Sequence, residues 1–192
     1  MPKLGMEPIR KAALVDATIH EVGRAGSLDV TVTTIARRAG VSSALAHHYF
    51  GGKEQLFLAS MRHVLTKFGE DVRRRLHGVT APRERAIAII HACFEGENFN
   101  REVVSAWLNF YVLAQTAPEA MRLLRIYQKR LDSNLTSSIR PLIGERAGEA
   151  AAGLGAVIDG VYIRQALKRR KPNAAAAIEL VTDYLDMQLA KA

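Results

Sequence analysis

The sequence predicts an all-α protein, a three-helix head followed by a larger helical body, with about nine helices in total. Three observations carry this expectation. Apolar residues recur at three- and four-residue spacing from end to end, and no convincing alternating strand interrupts them. Side chains suited to capping, Thr31 and Ser42, stand before short periodic runs. Glycines and prolines then separate one run from the next.

Ala12, Val15, Ile19 and Val22 form the stripe of a first helix, which Gly23 and Gly26 end. Thr31 caps a short second helix with Val32, Ile35, Ala36 and Ala39 inward. Gly40 supplies a left-handed stop, and Ser42 caps a third helix running to about Phe50. Gly51-Gly52 breaks that helix, and a long fourth runs from Lys53 to about Leu76. Gly78 and Pro82 mark a joint, after which helices are expected near 82–95, 101–116, 118–140, 146–170 and 174–189. No repeat argues for a solenoid.

Composition narrows the function classes. The chain has 192 residues, 48% hydrophobic and 24% charged, as in an ordinary globular protein. Cys93 is the sole cysteine, which suits a reducing compartment. No apolar run is long enough to span a bilayer and no basic-then-apolar leader opens the chain, so a cytoplasmic location is expected, with no membrane partner. The formal charge of +8 is denser at the front, where residues 1–78 hold 12 Lys/Arg against 7 Asp/Glu. That favours an anionic partner there.

Two short helices joined by a tight glycine turn make a helix-turn-helix, whose second helix enters the DNA major groove. Leu45 or Ala46, with Phe50, can pack on the first two helices, which leaves Ser43, Ala44, His47 and His48 on the other side. Small residues at 43 and 44 permit close approach to bases. Ser43 can bond base or phosphate, and His47 or His48 can donate to phosphate or guanine. Lys53 opens the next helix, where its ammonium and exposed N–H groups would together hold a phosphate. Thr33 and Ser42, near helix starts, can do likewise, and Tyr49 completes the expected contact set. Adjacent residues on a helix point about 100° apart, so His47 and His48 cannot chelate one metal as an i, i+4 pair would. The expected division is 1–52 for DNA binding, 53–78 as a connecting helix, and 79–192 for ligand binding and dimerisation.

The stretch TVTTIARRAGVSSALAHHYFGGKEQLF, from Thr31 to Phe57, resembles the DNA-binding signature of the TetR family of bacterial repressors. The family commonly carries Tyr where this chain has His47, touching the phosphate backbone; the imidazole keeps a donor there. The resemblance implies a homodimer on a pseudo-palindromic operator in double-stranded DNA, released by a small ligand in the body. MPKLGMEPIR, VSAWLNF, RLDSNL and LGAVIDGVYIRQAL resemble a choline-responsive branch of that family. That likeness implies repression of genes that oxidise choline to glycine betaine, with choline as inducer.

A quaternary ammonium has no N–H to donate and is held by aromatic faces and a nearby carboxylate. Trp107 and Tyr111 stand i, i+4 with Phe110 beside them, Tyr127 lies on the next helix, and Asp159 and Tyr162 stand i, i+3 on the eighth. Together they supply an aromatic box with one anion. Glu97 and Asp132 are weaker candidates for the anion, and Arg164 or Arg130 could instead pair with Asp159 structurally. An aromatic stripe at this spacing also suits a plain core.

Small residues at 147, 150, 151, 155 and 156 permit close helix approach, within a subunit or between two. The family pairs its last two long helices between subunits, which makes 146–168 and 174–189, with Leu180, Tyr184 and Met187, the expected dimer face. An enzyme is the rival class, but GxSxG, a phosphate-cradling glycine loop, HExxH and a cysteine metal cluster are all missing. Neither cofactor nor metal is expected, and His20, His63, His77 and His91 lack ligand spacing. A repressor answering a different cationic or apolar ligand, or a helical adaptor without DNA affinity, are the remaining readings.

Overall fold

Local capping chemistry sets the helix starts in the head. Thr31 Oγ1 accepts from the Thr34 N–H at 3.1 Å, and Ser42 Oγ from the Leu45 N–H at 3.2 Å. Each bond satisfies one amide that the first turn leaves without a partner. Gly40, at φ +68°, turns the chain between them in the left-handed region that residues with a Cβ avoid.

The computed structural model describes residues 5–168 and 170–191; the first four residues of MPKLGMEPIR, and Arg169 and Ala192, lie outside them. Among the described residues there is no strand, and the helices are α1 (Met6–Ala25), α2 (Val32–Arg38), α3 (Ser43–Phe50), α4 (Lys53–Leu76), α5 (Pro82–Phe94), α6 (Arg101–Ala114), α7 (Pro118–Ile143), α8 (Ala147–Ala166) and α9 (Ala174–Leu189). Two short 3-10 turns, Gly96–Phe99 and Gly144–Arg146, join α5 to α6 and α7 to α8.

In the head, α1 packs on α2 and α4, α2 on α3, and α3 on α4. Leu14, Ile35, Ala36, Ala46, Leu56 and Phe57 are buried between these helices. In the body α7 packs on α5, α6 and α8, while α9 closes over α5 and α8. Arg83 clamps that closure from α5, donating twice to Asp186 of α9 at 2.8 Å. At the far end of α4, Arg75 joins Asp71 to Glu95, which also pairs with His91. Cys93 is a buried core residue whose thiol is pushed up by desolvation.

Several expectations need correction. Gly23 does not end α1; it lies inside the helix, and only Gly26 closes it, in the left-handed conformation. A Cβ on Gly23 would stand 2.4 Å from the Glu102 Cα, so the missing side chain lets α6 cross α1 in close contact. The buried face of α1 also turns away from Ala12, which is exposed, toward Leu14, Ala17, Thr18 and Glu21. Glu21 is buried there because Arg24 and Arg38 pair with it at 2.9 and 3.4 Å.

Helix α7 runs through Pro141 to Ile143. The proline forfeits the bond its amide would make to the Ser137 carbonyl, but only one turn of helix follows it, and the Gly144 N–H closes that turn on the Arg140 carbonyl. Helix α8 stops at Ala166, short of the expected 170. Last, the small residues of α8 are mostly spent inside the subunit. Ala147, Ala150 and Ala151 are buried, and Gly155 faces Asp132. Tyr184 is half-buried, with its hydroxyl beside Gly153 of α8.

Candidate DNA-contact face and ligand cluster

The outer side of α3 carries the polar residues expected there. Ala44, His47 and His48 are exposed and Ser43 half-exposed, while Ala46 is buried and Leu45 and Phe50 are half-buried behind them. Ser43 donates to Thr33 Oγ1 at 3.2 Å, so one hydroxyl pair spans the outer edges of α2 and α3. The Ser42 oxygen is engaged as the cap of α3, yet its proton remains a donor. His47 Nδ1 lies 3.2 Å from the Gly51 carbonyl. As donor there it fixes the ring and leaves Nε2 directed outward, an acceptor in the neutral ring and a donor once protonated. His48 rests against Tyr49, whose ring centroid is 5.3 Å from Lys11 Nζ of α1.

Lys53 is exposed at the first position of α4, and Gly52 before it offers no side-chain cap. The first amides of α4 therefore remain available beside an ammonium, an arrangement suited to a phosphate. The two histidines serve different neighbours. Among the described residues no group of three or more His, Cys, Asp or Glu is placed to hold a metal ion.

In the body, helices α6, α7 and α8 bring the six expected residues together. Trp107 is only 4% exposed. Its ring centroid lies 4.7 Å from Tyr127, 5.8 Å from Phe110, 5.8 Å from Tyr111 and 5.9 Å from Tyr162. Tyr111 donates to Asp159 Oδ1 at 2.8 Å. Tyr162 directs its hydroxyl at two backbone carbonyls, Cys93 and Asn98, the latter at 3.0 Å. Burial dominates the titration of this cluster: it pushes the Tyr111, Tyr127 and Tyr162 phenols up and raises the Asp159 carboxyl. Hydrogen bonds from Tyr111 and Gln128 offset part of the Asp159 shift, while nearby Asp132 adds to it.

Neither arginine expected beside Asp159 is its partner; Arg130 and Arg164 are exposed and Tyr111 takes that place. Of the weaker anions, Asp132 is close enough to act on Asp159, and its own carboxyl is raised by desolvation. Glu97 instead lines a cleft of about 550 Å³ between the head and the body, with Asp16, His20, His63 and Lys67. Sequence reasoning missed Asn98, which links Tyr162 to that cleft, because a backbone carbonyl carries no residue signature.

The fold and the presented helix define a helix-turn-helix transcriptional regulator, and the chain belongs to the TetR family. Residues 14–60 match the bacterial regulatory proteins of that family. Its body is of the BetI type: residues 82–190 match the C-terminal region of the BetI-type transcriptional repressor. The HTH-type transcriptional regulator BetI of Brucella anthropi is 54% identical over 190 residues, 98% of each chain. That of Agrobacterium fabrum is 50% identical over 190 residues, 98% of this chain and 92% of its own. A transcriptional regulator from Saccharomonospora viridis, solved in complex with choline, shares the fold at TM-score 0.82 and 21% identity, over 92% of this chain and 95% of that one. One from Pseudomonas aeruginosa PAO1 does so at TM-score 0.80 and 24% identity, covering 98% and 93%. The chain is thus a DNA-binding regulator, as its relatives are, and not an enzyme. Among the described residues no helix is long and apolar enough to cross a membrane.

Proposed function

We infer that this regulator represses genes converting choline to glycine betaine, and that choline or a related quaternary ammonium bound in the body lowers its affinity for the operator. One observation carries the ligand chemistry. Asp159 is a half-buried carboxylate among aromatic rings whose polar partners, Tyr111 and Gln128, are neutral donors. An anion so placed is short of a counter-cation, and a cation without N–H groups suits the surrounding ring faces. Trp107, Phe110, Tyr111, Tyr127 and Tyr162 supply those faces. The resemblance of the body to BetI-type repressors and the choline held by the Saccharomonospora viridis regulator support the same reading.

The rings pack on one another, so the ligand must part them. Displacing Tyr162 would disturb its bonds to the 93 and 98 carbonyls and so the 3-10 turn lining the head–body cleft. At the head, Thr33, Ser42, Ser43, Ala44, His47, His48, Tyr49 and Lys53 meet the operator, with residues 1–52 as the binding unit, 53–78 the connector and 79–192 the sensor. Two copies pair through α8 and α9, where Ile163, Leu167, Leu180 and Met187 are exposed apolar side chains. Twofold symmetry then sets two copies of α3 about 34–36 Å apart. The protein acts in the cytoplasm.

Titrating choline against operator-bound protein tests this directly. Trp107 emission should quench and operator affinity fall, and by linkage the operator must weaken choline by the same factor. No heat and no change in operator affinity at millimolar choline would discard the ligand and leave the regulator intact.

A further inference from the structure

The exposed side of α4 and α7 holds a second cavity, of about 640 Å³, whose chemistry is opposite to that of the Trp107 cluster. Its floor is apolar: Leu65, Phe68 and Val72 from α4 face Leu123, Ile126 and Tyr127 from α7. Three guanidinium residues, Arg62, Arg73 and Arg130, stand around it, and its lining contains no Asp or Glu. Arg62 reaches outward to Glu119, whereas Arg73 and Arg130 make no ion pair among the described residues. The groove next to it shares Ile126 and adds Arg122, Arg125 and Lys129, so the positive field continues along α7. Ile126, 40% exposed, is the apolar side chain that the cavity and this groove share.

The cavity lies within the usual size of small-molecule sites, about 300–1,000 Å³. Apolar walls with a one-signed rim select a ligand that is itself two-ended. We propose that the cleft between α4 and α7 is a second effector site, taking an amphipathic monoanion with its carboxylate between Arg73 and Arg130 and its hydrocarbon body on Phe68, Ile126 and Tyr127. A quaternary ammonium is disfavoured there by Arg73 and Arg130, since Arg62 is already paired with Glu119. Tyr127 is common to both sites: one edge of its ring meets Phe68 at 5.7 Å between centroids, and Trp107 lies 4.7 Å away on the cluster side. Occupancy of the cleft is therefore sensed at Trp107, the sole tryptophan.

Decanoate is a suitable probe, with 1-decanol and decyltrimethylammonium as neutral and cationic comparators. Calorimetry on the full chain should give one decanoate per subunit, decanol roughly tenfold weaker and the cation weaker still. Trp107 emission should shift with the same saturation. The double variant Arg73→Ala/Arg130→Ala alters exposed side chains only. It should lose roughly tenfold in decanoate affinity while keeping its melting temperature and its response to choline. Ile126→Glu, which sets a carboxylate on the floor, should abolish decanoate binding. Equal affinity for decanoate and decanol would overturn the proposal, as would unchanged decanoate binding in the double variant. A protein that binds decanoate as described but ignores choline would sustain this site and reject the choline reading alone.

Discussion

The head and the body present their candidate sites in opposite ways. On α3 the polar atoms face outward and are held by short local bonds, Ser42 to Leu45, Ser43 to Thr33 and His47 to Gly51. In the body the corresponding groups face inward, and each long-range bond joins distant parts of the chain, Tyr111 to Asp159 and Tyr162 to Asn98. A surface that reads a large rigid duplex needs to be prearranged and uncovered. A site for a small cation instead needs desolvation, which strengthens its one charge and ties it to the core. The body should therefore couple ligand binding to stability, and the head should not.

Substitutions at Trp107 give the largest contrast. The ring is packed among four other aromatic side chains, so Trp107→Ala should cost about 3–5 kcal/mol in denaturant unfolding. Ser43→Ala, on the half-exposed face of α3, should stay within about 0.5 kcal/mol and act on operator choice instead. Because the alanine variant at 107 risks unfolding, Trp107→Phe serves as the folded control that still weakens choline. Equal stability losses at 43 and 107 would erase the contrast.

Asp159 comes next. Asp159→Asn keeps the shape and the Tyr111 contact but removes the anion, and choline affinity should fall about 30- to 100-fold, equivalent to about 2–3 kcal/mol. Operator affinity without choline should remain. The pH dependence follows from the direction of the shift. Burial raises the Asp159 carboxyl, so its neutral form is favoured in the fold and ionisation becomes complete only above the ordinary carboxylate range. Choline needs the anion; its affinity should decline as pH falls through that raised value, and binding should release protons. Calorimetry in buffers of different ionisation heat measures that release. Choline affinity independent of pH down to the ordinary carboxylate range would remove Asp159 from the site.

The same contrast explains what the sequence made legible. Thr31, Ser42 and Gly40 act through bonds or backbone angles within a few residues, so the bounds of α2 and α3 could be read directly. The six residues of the aromatic cluster could be placed on three helices by spacing, but not the bonds they make. Asp159 found a tyrosine on α6 where charge alone suggested an arginine, because both arginines face solvent. Gly23 read as a stop although it marks a crossing, since what it accommodates, Glu102, lies 79 positions further along. The small residues of α8 were open between two partners, and most of them met their own subunit.

Gly23 also tests the border between the two regions. A methyl group there meets backbone, not the end of a flexible chain, so α1 and α6 must separate. Gly23→Ala should cost about 1–3 kcal/mol and shift how far choline changes operator affinity, since this crossing joins head to body. If the variant is as stable as the parent and its choline response is unaltered, the crossing does not couple them.

Lys53 carries the smallest expected effect and the sharpest statement about the head. Its ammonium is exposed and adds to amides at the start of α4 that no side chain caps. Removing the charge leaves those amides in place, so Lys53→Ala should weaken binding by only a few-fold, alike for operator and unrelated duplex. The dependence of log affinity on log salt should become shallower by roughly 1, the signature of one lost phosphate contact. Ser43→Ala should do the reverse, with an unchanged salt slope and altered discrimination between operator and unrelated duplex. Exchange of those two behaviours would mean that α3 lies against the phosphates and the start of α4 against the bases, a docking in which the outward face of α3 could no longer be the reading surface.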